Sequence, residues 1–250
     1  TYKHLSGFTY EVTITTYTKT SVIADRPELY IFWGDGSKSD TLSRAEFDII
    51  FYPDRDAQKN TYKGKHTFPG PGRFFISIED PNRNNNIENL RPPGGQSDQV
   101  VFFVQSELII NPFAPVGTRV VNNSVQLLNP PLDRACIFQR YEHNPGAYDP
   151  DGDSLSYKLV TCRGEGGVEL PYYMLPDQIT PGPNNTITIN PLTGDVTWQA
   201  PQKAGLYNIA ILIEEWRNGQ KVGSVMRDMQ IEVLSCANKP PIIAEVPDTC

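Results

Sequence analysis

The chain has 250 residues, of which 19 are glycine and 22 are proline, and this density of turn formers and helix breakers argues against a helical protein. Its 22 Lys and Arg residues stand against 29 Asp and Glu residues, and the formal net charge of −7 disfavours a nucleic-acid partner because it would repel a phosphate backbone. The longest apolar runs are about five residues, far short of the roughly 20 needed to cross a bilayer, so we expect no membrane insertion of this segment.

The first part of the chain alternates short apolar segments with turns. Thr, Val, Ile and aromatic residues recur there with a period of two, which is typical of strands. Residues 41–51 are ambiguous and could hold a helical turn. Strands are predicted at 8–16, 28–33, 73–79 and 99–105, with a polar, Asn-rich loop at 80–97.

The second part repeats this pattern without repeating the sequence. Many strands and frequent turns indicate an all-β protein of two antiparallel sandwiches. We predict domains at 1–107 and 108–235, with 236–250 as a linker or the start of a following domain, and we expect the chain to be a segment of a longer protein. Strands are predicted at 155–162, 186–189, 196–198, 206–215 and 222–234.

Four cysteines, Cys136, Cys162, Cys236 and Cys250, are the guide to cellular location. No CxxC spacing suggests zinc or redox chemistry. Pairing by nearness along the chain predicts the disulfides Cys136–Cys162 and Cys236–Cys250, each worth about 3 kcal/mol by loop closure. Such bonds persist outside a reducing cytosol, so we expect an extracellular protein. The alternative is four buried free thiols in a cytosolic protein.

Common signatures of catalysis are missing. The chain contains no HExxH, GxSxG or GxxxxGK[S/T] motif. His143 is conceivable as a general base, but a loop histidine that hydrogen-bonds to the backbone is the favoured interpretation. Glu214 and Glu215 would point to opposite faces of a strand, so they cannot form an acid–base pair. We therefore predict a protein without enzymatic activity.

An acidic loop at residues 149–154 (DPDGDS) is the sharpest local cluster. Asp149, Asp151 and Asp153 alternate around a glycine turn, where like charges repel unless a cation lies between them. Ca²⁺ binds about six to eight oxygen ligands of this kind, although the loop is not an EF-hand. We predict a Ca²⁺ site here, against the alternative that the carboxylates cap turn amides.

The aromatic residues divide into core and surface candidates. Trp33 and Trp198 fall within strand patterns, where a buried tryptophan is expected. Tyr172, Tyr173 and Trp216 lie closer to loops and strand ends. These three are our candidates for a surface that faces a sugar or a protein partner.

Three motifs occur together in the first part of the chain: 33–37 (WGDGS), 66–72 (HTFPGPG) and 74–80 (FFISIED). Through them, roughly residues 8–106 resemble the polycystic-kidney-disease-type immunoglobulin-like domain. Phe74 stands where that family usually has Tyr. The resemblance implies a sandwich in which the Trp packs inside and the GDG segment forms a tight hairpin.

The second part contains the motifs 147–157 (AYDPDGDSLSY), 190–198 (NPLTGDVTW) and 205–209 (GLYNI). It resembles the cadherin-like or immunoglobulin-like repeats of bacterial surface proteins, in which the Asp-rich loop is often associated with Ca²⁺. With the further segments 128–131, 143–146, 162–167 and 213–219, the chain is similar to the N-terminal region of Bacteroidota proteins that carry a gliding-motility-associated C-terminal domain and leave the cell by type IX secretion.

This resemblance implies tandem immunoglobulin-like sandwiches that act as a spacer, adhesion or docking unit at the cell surface. Partners would be other domains of the same long chain, surface proteins or glycans. The alternative is a carbohydrate-binding module of a polysaccharide-handling surface protein, which requires Tyr172, Tyr173 or Trp216 to be exposed in a shared cleft. Thr41 and Ser154 follow a D-S/T-aliphatic pattern similar to the O-glycosylation sites of that phylum.

Overall fold

The computed structural model describes residues 1–18, 20, 25–52, 55–111 and 121–237. Within them the chain is mostly antiparallel β-structure, so the predicted all-β class is confirmed. The first strands are β1 (Tyr2–Ser6), β2 (Thr9–Thr18), β3 (Glu28–Phe32), β4 (Asp40–Tyr52), β5 (Arg55–Thr67), β6 (Gly72–Asp80) and β7 (Phe102–Ile110). They are followed by β8 (Gln126–Leu127), β9 (Leu132–Cys136), β10 (Tyr141–His143), β11 (Ala147–Tyr148), β12 (Ser154–Val160), the short helix α1 (Pro176–Ile179), β13 (Ile187–Ile189), β14 (Val196–Trp198), β15 (Gly205–Arg217) and β16 (Gln220–Leu234).

One large sheet joins the two halves of the chain, by which we mean residues 1–107 and 108–235. Its order is β1-β2-β5-β4-β3-β6-β7-β16-β15-β12, with β9 pairing in parallel to β16. The junction is the antiparallel pairing of β7 with β16, where Leu108 lies opposite Gly223. The hydroxyl of Tyr2 on β1 donates to the carbonyl oxygen of Glu107 on β7 at 3.1 Å. Because strands far apart in the sheet order touch in this way, the sheet curls back on itself.

The first core lies inside the curl and surrounds Trp33. Its indole donates to Asp40 Oδ2 at 2.7 Å, and the His66 ring stacks on it with ring centroids 4.5 Å apart. Leu29 and Ile31 are buried and alternate with exposed residues along β3, as expected for a strand with one face in the core. Trp33 is buried, as the sequence predicted.

The second core lies between β15 and a three-stranded sheet of order β10-β14-β13. Trp198, also buried as predicted, packs edge-on against Tyr207 with centroids 5.1 Å apart, and its indole donates to Asn185 Oδ1 at 2.7 Å. The short strands β13 and β14 therefore cover the inner face of the long strand β15 with apolar side chains.

A third cluster forms from the segment predicted as a polar loop. Ile87, Leu90 and Val100 are buried against Ala210 on β15 and Met226 on β16. This segment belongs to the first half but packs on the second. The periodic signal missed it because its apolar residues are separated by asparagines and do not alternate.

Two further differences concern β4 and β5. Residues 41–51, which could have held a helical turn, lie in β4, because Asp40–Ser43 pair with β3 and the rest of the strand pairs with β5. Strand β5 (RDAQKNTYKGKHT) was not predicted, because lysines and other polar residues occupy most of its positions.

Candidate functional site

The acidic loop lies between β11 and β12. Asp149 Oδ1 accepts hydrogen bonds from the backbone N–H groups of Asp151 at 2.8 Å and Asp153 at 3.0 Å, which closes the turn around Gly152. Burial raises the pKa of Asp149, whose second oxygen has no hydrogen-bond partner among the described residues. One of the three predicted Ca²⁺ ligands therefore caps turn amides.

Arg217 at the end of β15 supplies positive charge to this loop. Its guanidinium donates to both oxygens of Asp153, at 2.6 and 2.5 Å, and lies 3.5 Å from Asp151. Asn123 donates its backbone N–H and its side-chain amide to Asp151, at 2.7 and 2.8 Å. The hydrogen bonds to Asp153 raise the pKa of Arg217, so this guanidinium stays charged.

The oxygens predicted to bind Ca²⁺ are thus engaged by an arginine and an asparagine. A Ca²⁺ ion would have to displace Arg217 to reach Asp151 and Asp153. In the part of the chain that the structure describes, no group of three or more His, Cys, Asp or Glu side chains is arranged to hold a metal ion. The arrangement fits a guanidinium better than a metal, and Ca²⁺ binding stays a prediction.

Glu215 is fully buried where β1 meets β15. It accepts hydrogen bonds from the Asn122 amide at 2.7 Å, the Tyr2 hydroxyl at 3.5 Å and the backbone N–H of Val125. Gly223, its partner across the sheet, leaves the necessary space, since a Cβ there would lie 2.3 Å from Glu215 Oε2. Burial raises the pKa of Glu215 to about 7.

An ionic ladder crosses the outer face of the large sheet and passes from the first half to the second. Arg73 lies 3.0 Å from Glu107, and Lys221 bridges Glu107 at 2.7 Å and Glu214 at 3.0 Å. Lys158 completes it, 3.3 Å from Glu214. Glu214 and Glu215 point to opposite faces, as the sequence predicted. Five strands are linked by alternating charges.

A buried ion pair fastens the third cluster. Arg83 lies 2.8 Å from Asp228, and both side chains are 2% exposed. Asn89 donates to the carbonyl oxygen of Asn208 on β15 at 2.7 Å and accepts the backbone N–H of the same residue at 2.8 Å. Breaking such a pair leaves an uncompensated buried charge, so these contacts resist separation of the two halves.

The predicted disulfide pairing is wrong. Cys136 pairs with Cys236, with Cα atoms 5.5 Å apart, because β9 runs parallel to β16 and brings Cys136 opposite Leu234. Cys162 is a buried free thiol in the third cluster, and burial raises its pKa well above the usual range. Cys250 lies outside the described residues. Nearness along the chain failed because sheet pairing, not sequence distance, sets which cysteines meet.

His143 lies in strand β10, not in a loop, and its partner is a side chain instead of the expected backbone group: Nδ1 is 2.5 Å from Oδ2 of the half-buried Asp133. Its Nε2 has no hydrogen-bond partner among the described residues. A polar surface groove of about 690 Å³ lies nearby. Its strand residues Glu142, Thr188 and Thr197 share the outer face of the three-stranded sheet. Because His143 follows Glu142 on β10, its side chain points to the core instead.

The predicted ligand surface is not one exposed cleft. Tyr172 and Tyr173 are half-buried against the third cluster, and the Tyr173 hydroxyl donates to the carbonyl oxygen of Asn208 at 3.3 Å. Trp216 is also half-buried and donates to Ser156 Oγ at 3.0 Å. Asn208 and Trp216 are eight residues apart on β15, roughly 27 Å, so the structure does not bring the three aromatic rings together.

Thr41 and Ser154 are both exposed, the first on β4 and the second at the start of β12. Their O-glycosylation stays a prediction.

Three aromatic residues that the sequence did not single out are exposed on the outer face of the first half: Tyr30, Phe32 and Phe75. The signal was present in β3, where apolar residues occupy consecutive positions although only one face can be buried.

Among the described residues, no helix is long and apolar enough to cross a membrane. The function must be argued from the residues themselves, because no protein-family model and no curated sequence matches the chain.

Proposed function

We propose that the chain is a non-catalytic extracellular module, a spacer, adhesion or docking unit within a larger cell-surface protein. The observation that carries this proposal is the hydrogen-bonded continuity of β6, β7, β16 and β15 across the two halves. A spacer must keep its ends in a fixed relation, and a shared sheet prevents the hinge motion expected of two units joined only by a linker.

Side-chain contacts support the same proposal. The ionic ladder runs parallel to the shared hydrogen bonds, and the Arg83–Asp228 pair is buried between the halves. The Cys136–Cys236 disulfide closes a loop of 100 residues, which by loop closure stabilises the folded chain by about 4 to 5 kcal/mol. A disulfide is compatible with an oxidising compartment outside the cytosol.

The finer assignment belongs to the proposal as well. We take the first half, around Trp33, as the polycystic-kidney-disease-type sandwich and the second, around Trp198, as the cadherin-like one, by their sequence resemblance. Export by type IX secretion and a gliding-associated parent follow from that resemblance. Ca²⁺ at Asp149, Asp151 and Asp153 is not required for rigidity, since Arg217 already pairs with Asp153 and lies close to Asp151.

The proposal is tested by labelling intact cells of the source organism with a membrane-impermeant, amine-reactive biotin reagent. Exposed lysines such as Lys63, Lys65 and Lys203 should be biotinylated before lysis, because an extracellular chain is accessible to the reagent. A cytosolic enzyme measured in the same sample is the control and should stay unlabelled. Labelling of the chain only after lysis would contradict the proposed location.

A further inference from the structure

Three exposed rings, Tyr30, Phe32 and Phe75, form what we call the aromatic platform. They are 62%, 42% and 43% exposed. Large aromatic side chains bury some of the greatest apolar areas in proteins, and the largest exposed apolar patch of a protein, typically about 300 to 600 Å², is often functional.

The platform lies on paired strands, because β3 is hydrogen-bonded to β4 on one side and to β6 on the other. Tyr30 and Phe32 occupy alternate positions on β3, so they share a face about 7 Å apart. Phe32 pairs with Ser77 on β6, two residues from Phe75, which places the third ring diagonally beside it. Gly34 lies against the backbone of Phe75, where a Cβ would approach its carbonyl oxygen to 2.5 Å, so the turn and β6 are in close contact.

Hydrogen-bonding groups surround the rings. The exposed Thr41 lies directly opposite Tyr30 on β4, and Ser77 lies opposite Phe32 on β6. Glu79, two residues beyond Ser77 on the same face, is held by the backbone N–H of Gly166 at 2.8 Å. An apolar centre with hydroxyl and carboxylate groups at its edge matches a ligand with apolar faces and polar rims.

The exposed area of the platform and the net charge of the chain indicate which class of ligand the platform binds. Its exposed aromatic area is on the order of 300 Å², against the roughly 800 Å² per partner of a stable protein interface, so it is too small for the core of a protein dimer. The net charge of −7 disfavours anionic polymers. A pyranose ring presents C–H groups on its face, which complement the negative face of an aromatic ring, and hydroxyls at its edge.

We propose that the aromatic platform binds a neutral polysaccharide chain, with successive sugar rings stacked on Tyr30, Phe32 and Phe75. This rests on the proposed extracellular function, because it names the partner that such an adhesion unit would hold.

The test titrates the purified chain calorimetrically with four neutral probes: cellohexaose, laminarihexaose, mannohexaose and xylohexaose. At least one should bind, and Tyr30→Ala and Phe75→Ala should each weaken that binding about tenfold or more, whereas Phe75→Tyr, which keeps the ring, should retain it. Phe47→Ala is the matched control, because Phe47 is an exposed aromatic residue of β4 outside the platform, and it should leave binding unchanged. Melting temperatures identify any variant that has lost its fold.

Binding of none of the four probes, or binding unaffected by Tyr30→Ala and Phe75→Ala, would overturn the inference. A dimer in sedimentation that Tyr30→Ala abolishes, without sugar binding, would make the platform a contact between copies instead. Sugar binding by a chain that is not labelled on intact cells would overturn only the proposed location, so the two failures are distinguishable.

Discussion

Single residues at the junction show two ways of burying a carboxyl group. Asp153 is paired with the Arg217 guanidinium, which raises the pKa of the arginine. Glu215 receives amide, hydroxyl and backbone donors, and burial, together with the neighbouring charges of Asp149 and Asp153, raises its pKa to about 7. The Arg217 guanidinium keeps its charge over the whole neutral pH range, whereas the charge of Glu215 changes within it.

Glu215 should therefore make folding stability fall as pH rises from about 5 to about 7.5. The folded carboxyl, with a pKa of about 7, keeps a proton that the unfolded one, near 4.5, has released, so its contribution is complete below 4.5 and is lost through 7. The full shift corresponds to about 3 kcal/mol of folding stability.

In the Glu215→Gln variant, this fall of the free energy of unfolding with rising pH should be absent when urea unfolding is measured at pH 5, 6, 7 and 8. The matched control is Glu214→Gln on the opposite face, which should keep the slope; equal slopes in wild type and Glu215→Gln would contradict the prediction.

Among the structural elements, those with local signals could be predicted and those set by distant pairing could not. Strands β3 and β6 alternate buried and exposed residues, and their positions follow from the sequence. The pairing of β9 with β16, and with it the disulfide, depends on residues about 100 positions apart. The aromatic platform and the Arg217 contacts of the acidic loop could not be predicted for the same reason. A local sequence pattern does not indicate which strands are neighbours in the sheet.

The turn after β3 offers a test at this scale. Gly34 has a φ of +76°, and a Cβ there would meet the Phe75 backbone at 2.5 Å, whereas Gly36, with a φ of +84°, has open space around its missing Cβ. Gly36→Ala should cost about 1 kcal/mol from backbone conformation alone. Gly34→Ala should cost at least about 2 kcal/mol more, because the added methyl group must push β6 away. Chemical denaturation of both variants measures the difference; similar losses would mean that Gly34 and β6 are not in close contact.

At the scale of the whole molecule, the shared sheet and the disulfide divide the chain into parts that respond differently to tension. The β7–β16 pairing ties the halves together, so force on one is transmitted to the other. The Cys136–Cys236 bond links residues that are 100 positions apart, so tension along the chain passes through this bond and not through the residues between the two cysteines. If the chain serves as the proposed spacer, tension would pass through residues 1–136 and the disulfide, and the residues between the two cysteines would be shielded from extension.

Stretching a single chain between handles at residues 1 and 237 tests this arrangement. Under oxidising conditions the chain should unfold in one cooperative step, and its contour length should be shorter by about 340 Å than after reduction, since each of the 100 enclosed residues contributes about 3.4 Å. Cys136→Ser should behave like the reduced protein, because it removes the bond. Cys162→Ser is the control and should retain the shorter length, because that thiol is unbonded. Two separate low-force steps would show that the halves are independent units, and equal lengths before and after reduction would show that the disulfide does not form.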